Sequence, residues 1–435
     1  MDARTTALAA LIACRKQGAW ADGVLKEYIS RDRLDRRDAA LASRLCYGVM
    51  QNRILLDYYL SGFLTTGIHK LQPVVLDILR LGLYQILFLD KIPVSAAVNE
   101  AVEQGKKYAN KRASGLINGV LRNAVRSRAS IQLPDDLSIR YSHPKELVEL
   151  LRHSVGNEAL EPLLASHNSI SPTIIQINPL VSTEQEVLSA LEAAGASYER
   201  HPWLDLAYEI SGFGNLERME LFQNGGFYVQ DPAAKLAVIA AGLQPDMQVL
   251  DGCAAPGGKS FAAAIAMNNR GSIISCDIHP HKIELLHKGA ERLRISIMVP
   301  RLQDASEYVS NWECTMDAVI ADVPCSGLGV IRKKSDIRYK DLSDLAKLPE
   351  IQQRILENLC RYVKPGGVLL YSTCTILKRE NEDVITKFLS THKEYQLEEF
   401  DLPEGLLAQN NGMLTLYPSA HNTDGFFICK LRRTL

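Results

Sequence analysis

Apolar residues recur at intervals of three and four through the first part of the chain, as they do on one face of an amphipathic helix. Leu55, Tyr58, Tyr59 and Phe63 have this spacing, and the apolar positions between residues 75 and 86 repeat it. Alternating stretches that would indicate strands are scarce there. The pattern therefore predicts an all-α domain over residues 1–135.

Strand and helix patterns are mixed between residues 136 and 228. The run Thr-Ile-Ile-Gln-Ile-Asn at 173–178 predicts a strand, because β-branched residues fit a pleated surface. Ser182 is predicted to cap the helix that follows, with Glu184 and Glu186 in its first turn. We expect a small α+β domain over residues 136–228.

From residue 229 to the end, apolar strands alternate with helical stretches, which is typical of a parallel sheet covered by helices. The predicted strands lie at 249–250, 272–276, 298–302, 316–321 and 368–372. Segments 412–417 and 425–431 predict a closing antiparallel pair. We expect a Rossmann-like α/β domain over residues 229–435.

The length and composition fit a multidomain globular protein. A chain of 435 residues is too long for one ordinary hydrophobic core. No apolar run is long enough to span a bilayer, and residues 7–14 fit a helix better than a signal peptide.

The nine cysteines form no C-x-x-C pair, which favours reduced thiols in the cytoplasm over disulfides or zinc. His279, His281 and His287 lack the spacing of metal ligands, so no metal is expected.

Charge is distributed unevenly along the chain. Residues 1–128 carry 20 Lys and Arg against 11 Asp and Glu, whereas the remainder carries 29 against 39. The net charge of −1 is therefore the sum of +9 on residues 1–128, here called the front end, and −10 on the remainder. A basic helical front end favours contact with a polyanion such as nucleic acid, although a solvated helical surface is the alternative.

A loop of small residues follows the first strand of the predicted sheet and opens a helix. Its sequence at 251–260 is Asp-Gly-Cys-Ala-Ala-Pro-Gly-Gly-Lys-Ser. Small residues let a backbone approach a ligand, and a helix N-terminus favours an anionic group. The loop is not a P-loop, because Cys253 stands where that motif needs its first glycine, and it lacks the dinucleotide fingerprint.

Two acidic residues after the next strands narrow the choice of ligand. Asp277 ends the second strand, where a carboxylate can accept both ribose hydroxyls of an adenosine. Asp304 is placed to accept from the adenine amino group, unless both acids only cap helices. Together with the loop, the acids indicate S-adenosylmethionine rather than NAD or ATP. The loop residues expected to contact it are Cys253, Ala254, Ala255, Pro256, Gly257, Gly258 and Lys259.

Two cysteines each follow a predicted strand. Cys325 lies in Asp-Val-Pro-Cys-Ser-Gly and Cys374 in Ser-Thr-Cys-Thr. Because the carboxyl ends of parallel strands carry the chemistry of such sheets, we expect both thiols over one substrate. A thiolate can add to carbon 6 of cytosine and so activate carbon 5 for methylation. Asp322 is expected to bond the polar edge of that base. The residues alone leave open which cysteine attacks, and a single buried cysteine would as readily be structural.

Three motifs, at 251–260, 322–327 and 373–374, resemble those of the RNA cytosine-5 methyltransferases. Stretches 38–45 and 113–123 resemble the helical RNA-binding fold of NusB, and 228–231, 330–333 and 424–427 resemble the bacterial RsmB (Sun or Fmu) family. The resemblance implies a cytoplasmic, S-adenosylmethionine-dependent enzyme that methylates carbon 5 of a cytosine in 16S rRNA, without an obligate protein partner. It also implies that Cys374 is the nucleophile, that Cys325 assists release, and that Asp322 belongs to the cofactor pocket. In DNA cytosine methyltransferases the Pro-Cys cysteine attacks instead.

The RNA contacts are expected outside the cofactor loop. Residues 1–135 are expected to form a NusB-like RNA-binding domain, and residues 136–228 are expected to bind RNA or to link the two flanking domains. Arg332, Lys333 and Lys334 follow the Cys325 loop and are predicted to hold phosphates.

Three positions depart from residues usual in the family, namely Val323, Ser335 and Tyr339. The last two stand in a loop expected to touch RNA, so a tRNA target with the same chemistry is an alternative. A non-catalytic RNA-binding factor with the same fold is another, against which the cysteine pair and the cofactor acids argue.

Overall fold

The computed structural model describes residues 2–17 and 21–434. The chain forms two compact units, each built from two separate stretches of sequence. The first unit runs to Asn168 and includes Lys333–Lys340, and the second contains Ser169–Arg332 and the chain from Asp341 onward. This division does not coincide with the predicted domain boundaries after residues 135 and 228, which stay predictions.

Helices build the first unit, as the apolar spacing predicts. The most apolar helix is α5, in which Ile78, Leu79 and Leu83 are fully buried. None of the described helices is both long and apolar enough to cross a membrane. The helices are Ala3–Gln17 (α1), Ala21–Arg31 (α2), Arg36–Gln51 (α3), Arg53–Phe63 (α4), Pro73–Phe88 (α5), Val94–Tyr108 (α6), Lys111–Ser127 (α7), Leu137–Arg140 (α8) and Lys145–Ser166 (α9).

A short segment from the later part of the sequence completes the first unit. Lys333–Lys340 belongs to it, and Arg338 of this segment is buried with only 1% of its surface exposed. Its Nη1 donates to the carbonyl oxygens of Gln51 (2.9 Å) and Ser142 (3.2 Å) and to Oδ1 of Asn168 (3.0 Å). A buried cation needs such acceptors, because leaving its charge unpaired costs several kcal/mol. Arg338 thus anchors the segment.

The second unit begins with a four-stranded antiparallel sheet in the order β2-β3-β1-β4. The strand predicted at 173–178 is confirmed as β1. The predicted cap was wrong by one position, because Thr183 caps α10 in a reciprocal pair with Glu186. The elements are Thr173–Ile177 (β1), Glu184–Ala193 (α10), Ser197–Arg200 (β2), Ala207–Ser211 (β3), Glu220–Gln223 (α11) and Phe227–Val229 (β4).

The larger sheet has the order β10-β12-β9-β8-β5-β6-β7, with β11 paired to β12. Strands β5 to β9 are parallel, and the predicted antiparallel closing pair is confirmed as β11 and β12. The elements are Pro232–Ala241 (α12), Gln248–Asp251 (β5), Gly258–Ala266 (α13), Ser272–Asp277 (β6), Pro280–Arg292 (α14), Met298–Leu302 (β7), Met316–Asp322 (β8), Leu348–Leu359 (α15), Val363–Thr373 (β9), Glu382–Thr391 (α16), Tyr395–Leu397 (β10), Met413–Leu416 (β11), Pro418–His421 (α17) and Phe426–Arg433 (β12).

Both faces of the larger sheet are covered by hydrophobic core. Successive side chains of a strand point to opposite faces, so Ala318 and Ile320 pack in one cluster while Val319 and Ala321 pack in another. A strand segment buried on both faces is apolar on both, which is why residues 318–321 of β8 show no alternation, while Asp317 and Asp322 lie towards its ends. The predicted Rossmann-like architecture is confirmed, and its rigid sheet holds the strand ends that carry the site.

Candidate active site

The loops after β5, β6, β8 and β9 open onto one cavity of about 480 Å³. These strands are parallel, so their carboxyl ends lie at the same edge of the sheet. The structure thus brings together residues that are far apart in sequence. The predicted site residues that line the cavity are Cys253, Ala255, Asp277, Asp304, Asp322, Cys325 and Cys374.

A buried carboxylate at the end of β5 stabilises the loop that follows this strand. Asp251 is fully buried, and its Oδ2 accepts from the hydroxyl of Ser260 at 2.7 Å. Ser260 also lies 2.8 Å from the hydroxyl of Ser275 on β6, so the loop is tied to two strands. Burial raises the pKa of Asp251 to about 7.

Gly257 makes the loop compact. Its φ is 115°, in the region that only glycine adopts without strain, and a β-carbon there would lie 2.3 Å from the ring of Phe261. Five of the predicted cofactor contacts do not line the cavity described above, and their contact roles stay predictions. They are Ala254, Pro256, Gly257, Gly258 and Lys259, of which Pro256 and Gly258 line a second cavity of about 520 Å³.

The two acids after β6 and β7 lie in the wall of the main cavity. Asp277 is 7% exposed, and its Oδ1 accepts from the backbone N–H of His279 at 3.0 Å. Lys282 donates to its Oδ2 at 3.4 Å. Asp304 accepts from the backbone and hydroxyl of Ser306 through Oδ1 alone. Because a carboxylate offers about four lone-pair sites, both acids keep acceptor capacity toward the cavity.

The sulfur atoms of Cys325 and Cys374 are 3.3 Å apart, which is hydrogen-bonding distance for two thiols. This shared hydrogen bond raises the pKa of Cys325 well above its usual range, and burial and the nearby Glu380 carboxylate act in the same direction. The same bond lowers the pKa of Cys374 although burial and the Asp322 carboxylate act to raise it, and the Lys259 ammonium adds to the lowering. The pair therefore favours one thiol on Cys325 and one thiolate on Cys374.

Asp322 is held in place by two donors. Lys259 donates to its Oδ2 at 2.8 Å, and the hydroxyl of Ser372 donates to its Oδ1 at 2.7 Å. Although burial lowers the pKa of Lys259, the Asp322 carboxylate raises it above the usual value. The carboxylate is thus oriented into the cavity beside the cysteines, with the charge of Lys259 next to it.

One wall of the cavity comes from a helix whose role the sequence did not indicate. Ile351, Arg354 and Ile355 of α15 line the cavity from one face of that helix. Their spacing of three and four residues is visible in the sequence, but it also fits an ordinary core-facing helix. Arg354 adds a second cationic side chain, beside Lys282, to a wall that carries three acids.

The basic residues predicted to bind phosphate lie on the chain after the Cys325 loop. Arg332 donates from Nη1 to Oδ1 of Asn422 at 3.0 Å and from Nη2 to the carbonyl of Thr423 at 3.3 Å, so its guanidinium bonds to protein. Lys333 and Lys334 are exposed. Their role in RNA binding stays a prediction. In residues 2–17 and 21–434, no three His, Cys, Asp or Glu side chains are grouped so that they could hold a metal.

Comparison with known proteins places the chain in a family. The family model described as 16S rRNA methyltransferase RsmB/F matches residues 238–432, and the NusB family model matches residues 1–126. A probable ribosomal RNA small subunit methyltransferase B from Bacillus subtilis is 37% identical over 99% of this chain and 98% of its own length. The chain belongs to the ribosomal RNA small subunit methyltransferase B family. The resemblance stated from the motifs is therefore confirmed.

Solved structures share the fold of this chain. The crystal structure of PH0851 has a TM-score of 0.82 and 25% identity, and covers 99% of this chain and 98% of that chain. NSun6 from Pyrococcus horikoshii with SFG has a TM-score of 0.60 and 20% identity, over 67% of this chain and 98% of that chain, and shares the fold. As a member of the ribosomal RNA small subunit methyltransferase B family, the protein methylates rRNA with S-adenosylmethionine as its cofactor.

The main cavity fits this cofactor. Its wall carries the carboxylates of Asp277, Asp304 and Asp322, whose negative charge favours a cationic ligand. Asp277 and Asp304 would hold the ribose and the adenine, because both keep free acceptor sites. The acidic lining and the free acceptor sites therefore fit a cationic nucleoside.

Asp277→Ala is expected to weaken S-adenosylmethionine binding by about ten- to a hundredfold, on the order of 1.5–3 kcal/mol, because a charged acceptor is lost. Isothermal titration calorimetry measures the effect. Glu284→Ala is a matched control, since Glu284 is exposed and pairs with Lys288 on α14. Unchanged affinity in the Asp277 variant would place the ribose elsewhere.

Proposed function

We propose that this protein methylates carbon 5 of a cytosine in 16S rRNA through a covalent bond between Cys374 and carbon 6 of the base. The observation that carries this proposal is the pair of sulfur atoms 3.3 Å apart in the cavity that also contains Asp277. Two thiols at this distance beside a cofactor pocket suit a reaction that needs a nucleophile and a second group for release.

In the first step the Cys374 thiolate attacks. Carbon 5 of cytosine is a poor nucleophile, and addition of sulfur at carbon 6 makes it enamine-like. The lowered pKa of Cys374, caused first by its hydrogen bond with Cys325, favours the thiolate form that attacks. Asp322, fixed by Lys259 and Ser372, is placed to bond the polar edge of the base.

The second step releases the product. When it is bound, S-adenosylmethionine supplies the methyl group that carbon 5 accepts. Loss of the carbon 5 proton then breaks the bond between carbon 6 and sulfur, and Cys374 leaves as a thiolate. The carbon 5 proton passes to water, and the thiol of Cys325, 3.3 Å from Cys374, is placed to donate a hydrogen bond to the departing thiolate.

Bisulfite sequencing of rRNA and tRNA from cells with and without this gene tests the proposal. We expect one cytosine of 16S rRNA to lose its resistance to bisulfite in the deletion strain. Loss of a tRNA signal alone would assign the same chemistry to a different RNA. An unchanged pattern in both RNAs would refute methylation at carbon 5.

The helical front end is proposed to supply RNA affinity, because residues 1–128 carry a net charge of +9. Arg37, Lys111 and Arg112 are exposed there. Replacing all three by glutamine is expected to flatten the slope of log affinity against log salt by about two, since each phosphate contact releases counterions. Fluorescence anisotropy with a 16S rRNA fragment over a range of salt measures that slope.

A matched triple variant tests whether the effect depends on position or on net charge alone. Lys288, Lys387 and Lys393 are exposed lysines of the second unit. Their replacement by glutamine changes the total charge equally, and we expect the salt slope to stay that of the wild type. Equal slopes in both variants would leave the front end without a specific role in RNA binding. The cytoplasmic location and the independence from an obligate protein partner stay predictions.

A further inference from the structure

A buried carboxylate lies beneath the Cys325 loop. Glu380 follows the Cys374 loop in sequence and is fully buried. Its Oε2 accepts from the backbone N–H of Ser326 at 2.8 Å and from Nε2 of Gln352 at 2.9 Å. Gln352 Nε2 also donates to the carbonyl of Pro324 at 3.0 Å. Glu380 and Gln352 together therefore bond the residues on both sides of Cys325.

The same group of residues holds the Cys374 loop. The hydroxyl of Ser326 lies 2.8 Å from that of Thr375, the residue after Cys374. The hydroxyl of Tyr371 on β9 donates to the carbonyl of Glu380 at 2.6 Å. Side chains and backbone around Glu380 thus fix the two cysteine loops against each other, and the distance between the sulfurs depends on this network.

The charge of Glu380 has no local counterion. Its Oε1 makes no hydrogen bond, and over the described part of the chain no ion pair joins Glu380 to a cation. In a buried site such a charge acts strongly on its neighbours. At Cys374 the Asp322 carboxylate raises the pKa, the Lys259 ammonium partly offsets it, and Asp424 adds a smaller effect in the direction of Asp322. At Cys325 the Glu380 carboxylate raises the pKa, and no cation is among the main influences there. The electrostatic environment of the two sulfurs is therefore unequal.

We propose that Glu380 is a positioning residue that fixes the Cys325 loop and keeps the shared proton of the cysteine pair on Cys325, so that Cys374 is the thiolate. A negative charge disfavours a second negative charge near it, and Glu380 is bonded to the residue next to Cys325. The inference rests on the proposed function, because it explains which of two strand-end cysteines attacks. It gives a physical reason for a choice that the sequence motifs leave open.

Limited alkylation of the RNA-free protein with iodoacetamide tests this inference. In the wild type we expect Cys374 to react faster than Cys325, with exposed Cys314 as the internal reference in peptide mass spectrometry. Glu380→Gln keeps the shape and an acceptor for the Ser326 N–H but removes the charge. We expect it to shift the Cys374-to-Cys325 labelling ratio toward Cys325 by about tenfold, which corresponds to one pKa unit.

Three further variants separate charge from structure. Glu380→Asp keeps the charge and is expected to keep the preference for Cys374. Gln352→Met removes the two hydrogen bonds that Gln352 donates to Pro324 and Glu380 but leaves the carboxylate, and is expected to lower the Tm without moving the ratio. Glu382→Gln is the matched control, because Glu382 lies two residues away and lines a different cavity.

Two results would overturn the inference. One is a wild-type labelling ratio in a folded Glu380→Gln protein. The other is a shifted ratio in Gln352→Met, which would show that loop geometry alone places the proton. The second result can be obtained even when Glu380→Gln does not fold. Because labelling needs no RNA, these outcomes are independent of whether Cys374 methylates cytosine, and failure of the proposed function would appear only in the methylation assay.

Discussion

Cys374→Ala is expected to lower rRNA methylation by at least about a thousandfold, because the reaction loses its nucleophile. S-adenosylmethionine should still bind, since Asp277 and the loop after β5 are unchanged. Transfer of labelled methyl groups to 16S rRNA measures activity, and calorimetry measures cofactor binding. The combination of lost activity and retained cofactor affinity separates a chemical role from unfolding.

Cys314→Ala is the control for this experiment, because Cys314 is the exposed member of the free cysteines. That variant is expected to keep the activity of the wild type. If the Cys374→Ala variant still methylates rRNA, then Cys374 is not the nucleophile, and the covalent mechanism would need another one. Loss of cofactor binding together with activity would point to a collapsed site.

Cys325→Ala is expected to accumulate a covalent complex of protein and RNA that survives a denaturing gel. Cys374 can still attack in this variant, but the group placed to assist release is missing. The variant also lacks the thiol whose hydrogen bond lowers the pKa of Cys374. The Cys374 pKa therefore rises, and we expect the complex to form faster as the pH is increased.

The double variant Cys325→Ala, Cys374→Ala tests the origin of the complex, and should form none. If Cys374→Ala alone traps RNA and Cys325→Ala does not, then the two cysteines have exchanged roles. That outcome would also contradict the proton placement inferred for Glu380. Methylation with no trapped complex in any variant would argue against a covalent intermediate.

The parts of the fold that follow from local patterns were predictable. The strands predicted at 272–276 and 298–302 lie within one residue of the observed ends. A short apolar run between two turns is typical of a buried strand, so its ends are visible in the sequence. The cap of α10 was misplaced by one residue, since Ser182 and Thr183 are both good caps and only the bond to Glu186 selects one. The sequence therefore locates the start of a helix, whereas the choice of the capping residue depends on the hydrogen bonds that form in the folded chain.

Contacts between distant residues were not predictable in the same way. Nothing in the sequence marks Arg338 as buried, yet it packs among carbonyl groups of the first unit. Arg354 and Glu380 likewise gave no sequence signal, because their partners lie on other elements. Pro256 and Gly258 belong to the expected loop but line a second cavity, since the loop has two sides.

The discontinuity of the first unit limits how this protein can be recombined. A gene segment that ends at Asn168 would encode the helices without Lys333–Lys340, and the remaining segment would carry Arg338 without its acceptors at Gln51 and Ser142. A single crossover point therefore cannot exchange the helical part between homologues intact. Chimeras need two matched junctions, so the helices and the segment that follows Arg332 are expected to be inherited as one set.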